Sequence, residues 1–179
     1  MKQQALEFAK IAHAGQKRKN SNAAYITHPI RVARRLEANN FSDELVCAGY
    51  LHDTVEDTLV EIEDIEQQFG LRVAELVAAH TEDKSKSWQE RKLHTIDTIR
   101  NGEKELKYLI VADKLDNLLS LEQDLKQQGN IVWEKFNAGA EKQKWYNQSI
   151  AENMYVGLDS VDIPAYFKEF DNAVKRVFD

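Results

Sequence analysis

The chain has 179 residues, 42% of them hydrophobic and 30% charged, with a net charge of −6. This is enough chain for one compact domain with a hydrophobic core, and the acidic balance argues against nucleic acid as a partner. A long apolar run and a signal-peptide-like start are both absent, so we expect a soluble, cytoplasmic protein that does not bind membranes. Cys47 is the only cysteine, which excludes disulfides and thiolate metal clusters and leaves nitrogen and oxygen ligands for a metal.

The distribution of hydrophobic residues predicts an all-α fold. Prolines and glycines are few, and apolar residues recur at helical spacing almost throughout. No linker or repeat divides the chain, so we expect a single domain over residues 1–179, a helical bundle. Gly49 should let a neighbouring helix approach closely. In chain order, the predicted helices are 5–12, 29–36, one from about 43 to the acidic motif at 51–57 with His52 and Asp53 at its end, a short helix within 58–69, 71–79, 88–100, 103–128 and a last one opened by Pro164.

The third predicted helix ends in an acidic motif, Leu51 to Asp57. On a continuous helix His52 and Glu56 share one face, and Asp53 and Asp57 share the next. Clustered carboxylates repel one another, so a divalent metal held by His52 and Asp53 would neutralise them and leave Glu56 and Asp57 to move protons. The alternative is a solvated helix end on which carboxylates happen to cluster.

Two further polar residues are unusually placed. His28 stands at a helix entrance just before Pro29, and Asp113 lies midway along the apolar surface of the helix over 103–128. A buried carboxylate needs a cation, either a metal or a distant base such as Arg72 or Arg91. Lys114 is predicted to be a poor partner for Asp113 because consecutive helical residues point about 100° apart.

Four segments together resemble a known family. They are residues 12–19 (AHAGQKRK), 25–33 (YITHPIRVA), 51–57 (LHDTVED) and 112–117 (ADKLDN). In this order they resemble the HD-superfamily hydrolase domain of RelA/SpoT homologues, and most of all its stand-alone small alarmone hydrolases. The resemblance is strongest over residues 3–121, with 130–179 as a C-terminal helical extension.

The resemblance implies an HD-type helical bundle around one divalent metal, usually manganese. It implies metal ligation by four residues, His28, His52, Asp53 and Asp113. Glu56 and Asp57 match the catalytic acidic pair. The implied reaction is metal-dependent hydrolysis of the 3′-pyrophosphate of guanosine 3′,5′-bis(diphosphate), or of its pentaphosphate form, to GDP or GTP and pyrophosphate.

The resemblance also implies the residues that bind a small phosphorylated nucleotide. Arg18 matches an arginine that packs against the guanine base, Lys17 and Lys19 are suited to phosphate, and Asn117 matches an asparagine that contacts the sugar. The alternatives are an ordinary solvated loop for the basic cluster and a helix-surface amide for Asn117.

The chain departs from the family pattern at Asp116, where a histidine is usual, and at Leu119, where an arginine is common. Two alternatives therefore stay open: a phosphohydrolase acting on a nucleoside monophosphate or a 2′-phosphorylated dinucleotide, and a non-catalytic nucleotide-sensing module. An intact Glu56–Asp57 pair favours an enzyme, and a homodimer is a possible assembly. His13 is interpreted as a structural hydrogen-bonding residue, and no chemical role is assigned to His80, which precedes a loop, or to His94, which lies on an exposed-looking helix.

Overall fold

A computed structural model describes residues 1–18, 21–136 and 138–178. Within these residues the secondary structure is helical apart from one isolated antiparallel bridge between Lys17 and Ala24, which confirms the all-α prediction. None of the described helices combines the length and the apolar character that a membrane crossing requires. The α-helices are α1 (Lys2–Ala12), α2 (Thr27–Ala38), α3 (Asp43–Leu51), α4 (Thr54–Asp57), α5 (Ile62–Phe69), α6 (Leu71–His80), α7 (Trp88–Asn101), α8 (Lys104–Gln128), α9 (Gly139–Asn153) and α10 (Ala165–Phe178). Short 3₁₀ helices cover Gly129–Lys135 and Ser160–Asp162.

The chain divides into two compact units, unit 1 (residues 1–82) and unit 2 (residues 83–179). The single-domain organisation over 1–179 stays a prediction.

Helix α3 is the centre of unit 1. It packs against α1, α2 and α6, and every residue from Leu45 to Leu51 is buried, as expected of a helix enclosed on all sides. At Gly49 a Cβ atom would lie 2.9 Å from the Leu36 Cδ1 atom and 3.0 Å from the Ala33 Cα atom. The predicted close approach at Gly49 is therefore confirmed, and its partner is α2.

Local capping signals set several helix ends where the sequence predicts them. The Ser42 side chain accepts a hydrogen bond from the Leu45 amide at the start of α3. Ser87 and Glu90 form a capping box at the start of α7, with Ser87 one residue before the predicted start of that helix. Gly70 separates α5 from α6 with a φ of +89°, a backbone conformation that favours glycine.

The third predicted helix ends at Leu51, so His52 and Asp53 follow a helix end as predicted, and a separate turn, α4, begins at Thr54. The acidic motif is therefore not one continuous helix. The hydroxyl group of buried Thr54 donates to the Leu51 carbonyl at 2.7 Å, the acceptor that a continuous helix would pair with the amide of Val55. His52 and Asp53 therefore lie at a break between two helices.

Helix α8 is the longest element of unit 2 and contacts α7, α10 and the first 3₁₀ helix. The buried Lys107 ammonium group donates to the carbonyl oxygens of Ile99, Arg100 and Val156 at 2.6, 2.9 and 2.7 Å. It thereby joins α8 to the last turn of α7 and to the segment after α9. The predicted helices over 103–128 and after Pro164 are both confirmed.

Candidate metal centre

Three of the predicted metal ligands converge inside unit 1. His28 lies in the first turn of α2, while His52 and Asp53 follow the last residue of α3. The two imidazole Nε2 atoms are 3.3 Å apart. The Asp53 Oδ2 atom lies 3.5 Å from His28 Nε2 and 3.2 Å from His52 Nε2. All three residues are buried.

The spacing of these donor atoms fits a divalent cation. Ligand atoms held about 2.1 Å from one ion lie roughly 3.0–3.5 Å from each other in tetrahedral or octahedral arrangements. His52 Nδ1 lies 2.9 Å from the Gly49 carbonyl oxygen, which can only accept, so we assign the imidazole proton to Nδ1. The Nε2 lone pair of His52 then faces His28 and Asp53. Mixed nitrogen and oxygen donors suit Mn²⁺, Fe²⁺ or Zn²⁺.

The cysteine does not take part in such a centre. Cys47 is fully buried in α3, and burial raises the pKa of its thiol to about 11. The thiol therefore stays protonated near neutral pH, whereas a metal ligand would have to be a thiolate. This agrees with the predicted restriction to nitrogen and oxygen donors.

Tyr25 connects Asp53 to Asp57. Its hydroxyl oxygen lies 2.7 Å from Asp53 Oδ2 and 3.1 Å from Asp57 Oδ2. Both carboxylates thus approach one hydroxyl group, so the predicted shared orientation of Asp53 and Asp57 holds despite the helix break. Asp57 is exposed, whereas Asp53 is buried.

The Glu56 side chain contacts the backbone of Glu82, the last residue of unit 1. The Glu56 Oε2 atom accepts a hydrogen bond from the Glu82 amide at 3.2 Å, just beyond the end of α6. His80, the last residue of α6, packs edge-on against His52, with ring centroids 4.9 Å apart. His80 at the end of α6 and the Glu82 amide just after it therefore contact His52 and Glu56.

His13 and Gln16 support the same region. Gln16 Nε2 donates to the Asp57 carbonyl oxygen at 2.8 Å, and Gln16 Oε1 lies 2.8 Å from His13 Nδ1. The His13 ring stacks on Tyr25 with centroids 4.8 Å apart. The structural role predicted for His13 is confirmed, and His94 is exposed as expected.

Arg18, one of the predicted substrate-binding residues, lies next to Tyr25. The Arg18 guanidinium carbon lies 5.7 Å from the centre of the Tyr25 ring, a cation–π distance. Lys17 is exposed. Lys19 lies outside the described residues, so nothing in the structure bears on its predicted contact with phosphate.

Asp113 and Asn117 belong to unit 2. Asp113 is 2% exposed on α8, and the Asn117 amide donates to its Oδ1 atom at 2.8 Å. The Lys114 ammonium group lies 2.7 Å from Asp113 Oδ2, so the expectation that Lys114 is a poor partner is wrong. A long flexible lysine stem can reach back to the neighbouring carboxylate although the two Cα–Cβ bonds diverge. The ligand role of Asp113 stays a prediction.

The sequence matches a known protein family. The sequence profile of the HD domain family, HD_4, matches residues 5–141. The chain belongs to the HD domain family.

Individual relatives narrow the comparison. The Drosophila melanogaster protein named guanosine-3′,5′-bis(diphosphate) 3′-pyrophosphohydrolase MESH1 is 38% identical over 122 residues, which cover 66% of this HD domain chain and 68% of the relative. Human MESH1 is 39% identical over 121 residues, with the same coverage of both chains. An Aquifex aeolicus pyrophosphohydrolase of the same substrate name is 38% identical over 122 residues, but the match spans only 17% of that longer protein.

Two solved structures resemble the HD domain chain along most of its length. The crystal structure of lmo0812 from Listeria monocytogenes has 52% sequence identity and a TM-score of 0.81, and the match covers 84% of this chain and 98% of that one. A second structure, described as a metazoan ortholog of SpoT that hydrolyses ppGpp, has 26% identity and a TM-score of 0.79. It covers 98% of this chain and 94% of that one.

Three groups that contact the candidate site of this HD domain protein were not predicted from its sequence: Tyr25, His80 and the Glu82 amide. Tyr25 stands three residues before His28, and its carbonyl accepts a hydrogen bond from the His28 amide, so its position within one turn of a predicted ligand is a signal that the sequence contains. His80 precedes a loop, and no local signal in the sequence points from it to His52. The Glu82 amide is a backbone group, which sequence patterns do not reveal.

Proposed function

We propose that this HD domain protein is a divalent-metal-dependent phosphohydrolase that releases pyrophosphate from the 3′ position of guanosine 3′,5′-bis(diphosphate) or its pentaphosphate form. The observation that carries the proposal is the convergence of His28, His52 and Asp53 donor atoms within 3.5 Å of one another. The 38% identity to proteins named for this reaction supports the substrate.

The proposed metal ligands are His28, His52 and Asp53 of unit 1 and Asp113 of unit 2. Asp113 is a buried carboxylate with Lys114 as an ion-pair partner at 2.7 Å, and its place among the proposed ligands follows the family resemblance. We propose Mn²⁺ as the resident ion, following the family resemblance. When bound, a divalent cation supplies Lewis acidity, which polarises phosphoryl oxygens and acidifies water.

We assign proton transfer to Glu56 and Asp57. Water adds to the phosphorus next to the 3′ oxygen, the bond between this phosphorus and the 3′ oxygen breaks, and the 3′ oxygen gains a proton to become a hydroxyl group. The two carboxyl groups accept the proton of the water and assist the leaving oxygen. Their hydrogen bonds, from the Glu82 amide to Glu56 and from Tyr25 toward Asp57, hold both side chains in place for this work.

We assign nucleotide binding to the basic segment and to α8. Arg18 contacts one face of the Tyr25 ring and would stack on the guanine base, while Lys17 and Lys19 would contact phosphate groups. Asn117 shares a face of α8 with Asp113 and would contact the sugar. The predicted cytoplasmic location and the homodimer remain predictions.

The departures at Asp116 and Leu119 favour one alternative, a phosphohydrolase acting on a different phosphorylated nucleotide. The reaction products distinguish the proposed reaction from this alternative. The proposed reaction releases pyrophosphate, whereas a nucleoside monophosphate or a 2′-phosphorylated dinucleotide would release orthophosphate.

The experiment is a product assay on metal-stripped protein with and without added Mn²⁺. We expect pyrophosphate release from the guanosine 3′-pyrophosphate only when Mn²⁺ is present. Asp53→Ala should lose both bound metal, measured by elemental analysis, and hydrolysis. Glu56→Gln should keep the metal and lose turnover by about 100-fold or more. Equal rates with and without metal would refute the proposed function.

A further inference from the structure

Tyr25 contacts three of the groups to which a function has been assigned. Its hydroxyl group approaches the carboxylates of Asp53 and Asp57, at 2.7 and 3.1 Å. Its ring lies under the guanidinium group of Arg18. A tyrosine whose only task was packing would not need its hydroxyl group between two carboxylates.

We propose that Tyr25 is a positioning residue that orients the Asp53 carboxylate for metal binding and couples it to Asp57. The inference rests on the proposed function only for the role of Asp57. The metal-binding part requires only the cluster of His28, His52 and Asp53.

The proposed orientation of the Asp53 carboxylate follows from the oxygen atom that Tyr25 contacts. The Oδ2 atom of Asp53 accepts the Tyr25 hydrogen bond and also faces the Nε2 atoms of His28 and His52. A carboxylate oxygen has two lone-pair directions, so one can be directed at the hydroxyl group and the other at the space between the imidazoles. The Tyr25 hydroxyl group thereby restricts rotation of the Asp53 carboxylate. Hydrogen bonds to ligating carboxylates typically change metal affinity or activity by about 10–100-fold.

The single proton of the hydroxyl group accounts for the coupling. Tyr25 can donate to only one acceptor at a time, and the shorter distance favours Asp53. Asp57 accepts the same proton when the hydroxyl group rotates, so the two carboxylates share one donor. The orientations of Asp53 and Asp57 are therefore linked through one hydroxyl group.

The surroundings of Tyr25 keep this hydroxyl group in place. The ring stacks on His13, the Tyr25 amide donates to the Gln16 carbonyl at 2.9 Å, and the Tyr25 carbonyl accepts from the His28 amide at 3.0 Å. None of these contacts involves the hydroxyl group. Tyr25→Phe consequently removes one oxygen atom and keeps the contacts of the ring and backbone.

The test compares Tyr25→Phe with a matched variant, Tyr155→Phe. The Tyr155 hydroxyl group also donates to a carboxylate at 2.7 Å, that of Asp171, and neither residue belongs to the candidate site. For each full-length variant we would titrate metal-free protein with Mn²⁺ by calorimetry, record the melting temperature without metal, and determine kcat and KM at saturating Mn²⁺.

We expect Tyr25→Phe to weaken Mn²⁺ binding by about 10–100-fold and Tyr155→Phe to leave it unchanged. The kcat of Tyr25→Phe should fall even at saturating Mn²⁺, with KM unchanged, because Asp57 also loses its donor. Mn²⁺ affinity within about twofold of wild type, or an equal loss in Tyr155→Phe, would overturn the positioning role. If wild type binds Mn²⁺ but releases no pyrophosphate, the proposed function fails, while the affinity comparison still decides the role of Tyr25.

Discussion

Replacing Gly49 with alanine tests whether the contact between α2 and α3 positions the proposed metal ligands His28 and His52. The new methyl group would lie 3.0 Å from the Ala33 Cα atom and 2.9 Å from the Leu36 Cδ1 atom. Unstrained carbon contacts are about 3.5–4.0 Å, so α2 and α3 must separate by roughly 0.5–1 Å. The Leu36 side chain can rotate, but the backbone at Ala33 moves only with the helix.

Two opposing effects determine the change in stability. Overpacking of this kind costs about 1–3 kcal/mol, whereas Gly→Ala within a helix gains up to about 1 kcal/mol through helix propensity. Because the clash is with backbone, we expect the clash to prevail and the free energy of unfolding to fall by about 1 kcal/mol. His28 lies on α2 and His52 follows α3, so the 3.3 Å separation of their Nε2 atoms should increase. Mn²⁺ affinity should then fall several-fold, since metal sites tolerate displacements of only about 0.5 Å.

The assay is urea unfolding of metal-free protein followed by far-ultraviolet circular dichroism. Tryptophan fluorescence would miss unit 1, because Trp88, Trp133 and Trp145 all lie in unit 2. The exposed Gln67 of α5 supplies a control, since the difference between Gln67→Ala and Gln67→Gly measures helix propensity without a clash. A Gly49→Ala variant that is more stable than wild type and retains Mn²⁺ affinity would refute the reasoning.

Two further predictions concern unit 2. Lys107→Met should lower the free energy of unfolding by about 2–3 kcal/mol, because three backbone carbonyls lose a charged donor. Urea unfolding followed by tryptophan fluorescence measures this loss, and an unchanged unfolding midpoint would contradict the prediction. Hydrogen bonds from Arg176 and Lys126 lower the pKa of Glu122 from 4.5 to about 2. The resulting stabilisation is fully present above pH 4.5 and is lost as the pH falls through about 2. Because the Arg176 side chain is 47% exposed, we expect Glu122→Gln to lower the free energy of unfolding by only about 1 kcal/mol near neutral pH and not at all near pH 2. A difference in urea unfolding between wild type and variant that does not change with pH would argue against the ion pair.

The site was partly predictable because several of its constraints are local. His28 and His52 stand at helix ends, and those positions follow from Pro29 and from the apolar run before the acidic motif. Their distance in space was not predictable from periodicity, because it depends on how closely α2 approaches α3. Gly49 was the one sequence signal for that approach, and it indicated a close contact without naming the partner helix.

Two side-chain contacts were not predictable from helical periodicity, because each depends on where the end of a side chain reaches. Lys114 reaches Asp113 because a flexible stem is not bound to the direction of its Cα–Cβ bond. The helix break at His52 and Asp53 depends on the hydroxyl group of Thr54, which the helical pattern of the segment conceals.

The amino-acid sequence by itself determined the helical class, most helix ends and the set of chemically able residues. These properties depend on neighbours within a few positions, through capping, glycine conformation and apolar spacing. Tertiary structure alone decided that the hydroxyl group of Tyr25 meets two carboxylates and that Glu56 is held by the amide of Glu82. Such contacts join residues many positions apart, and they form only when packing of the helices brings the side chains within hydrogen-bonding distance.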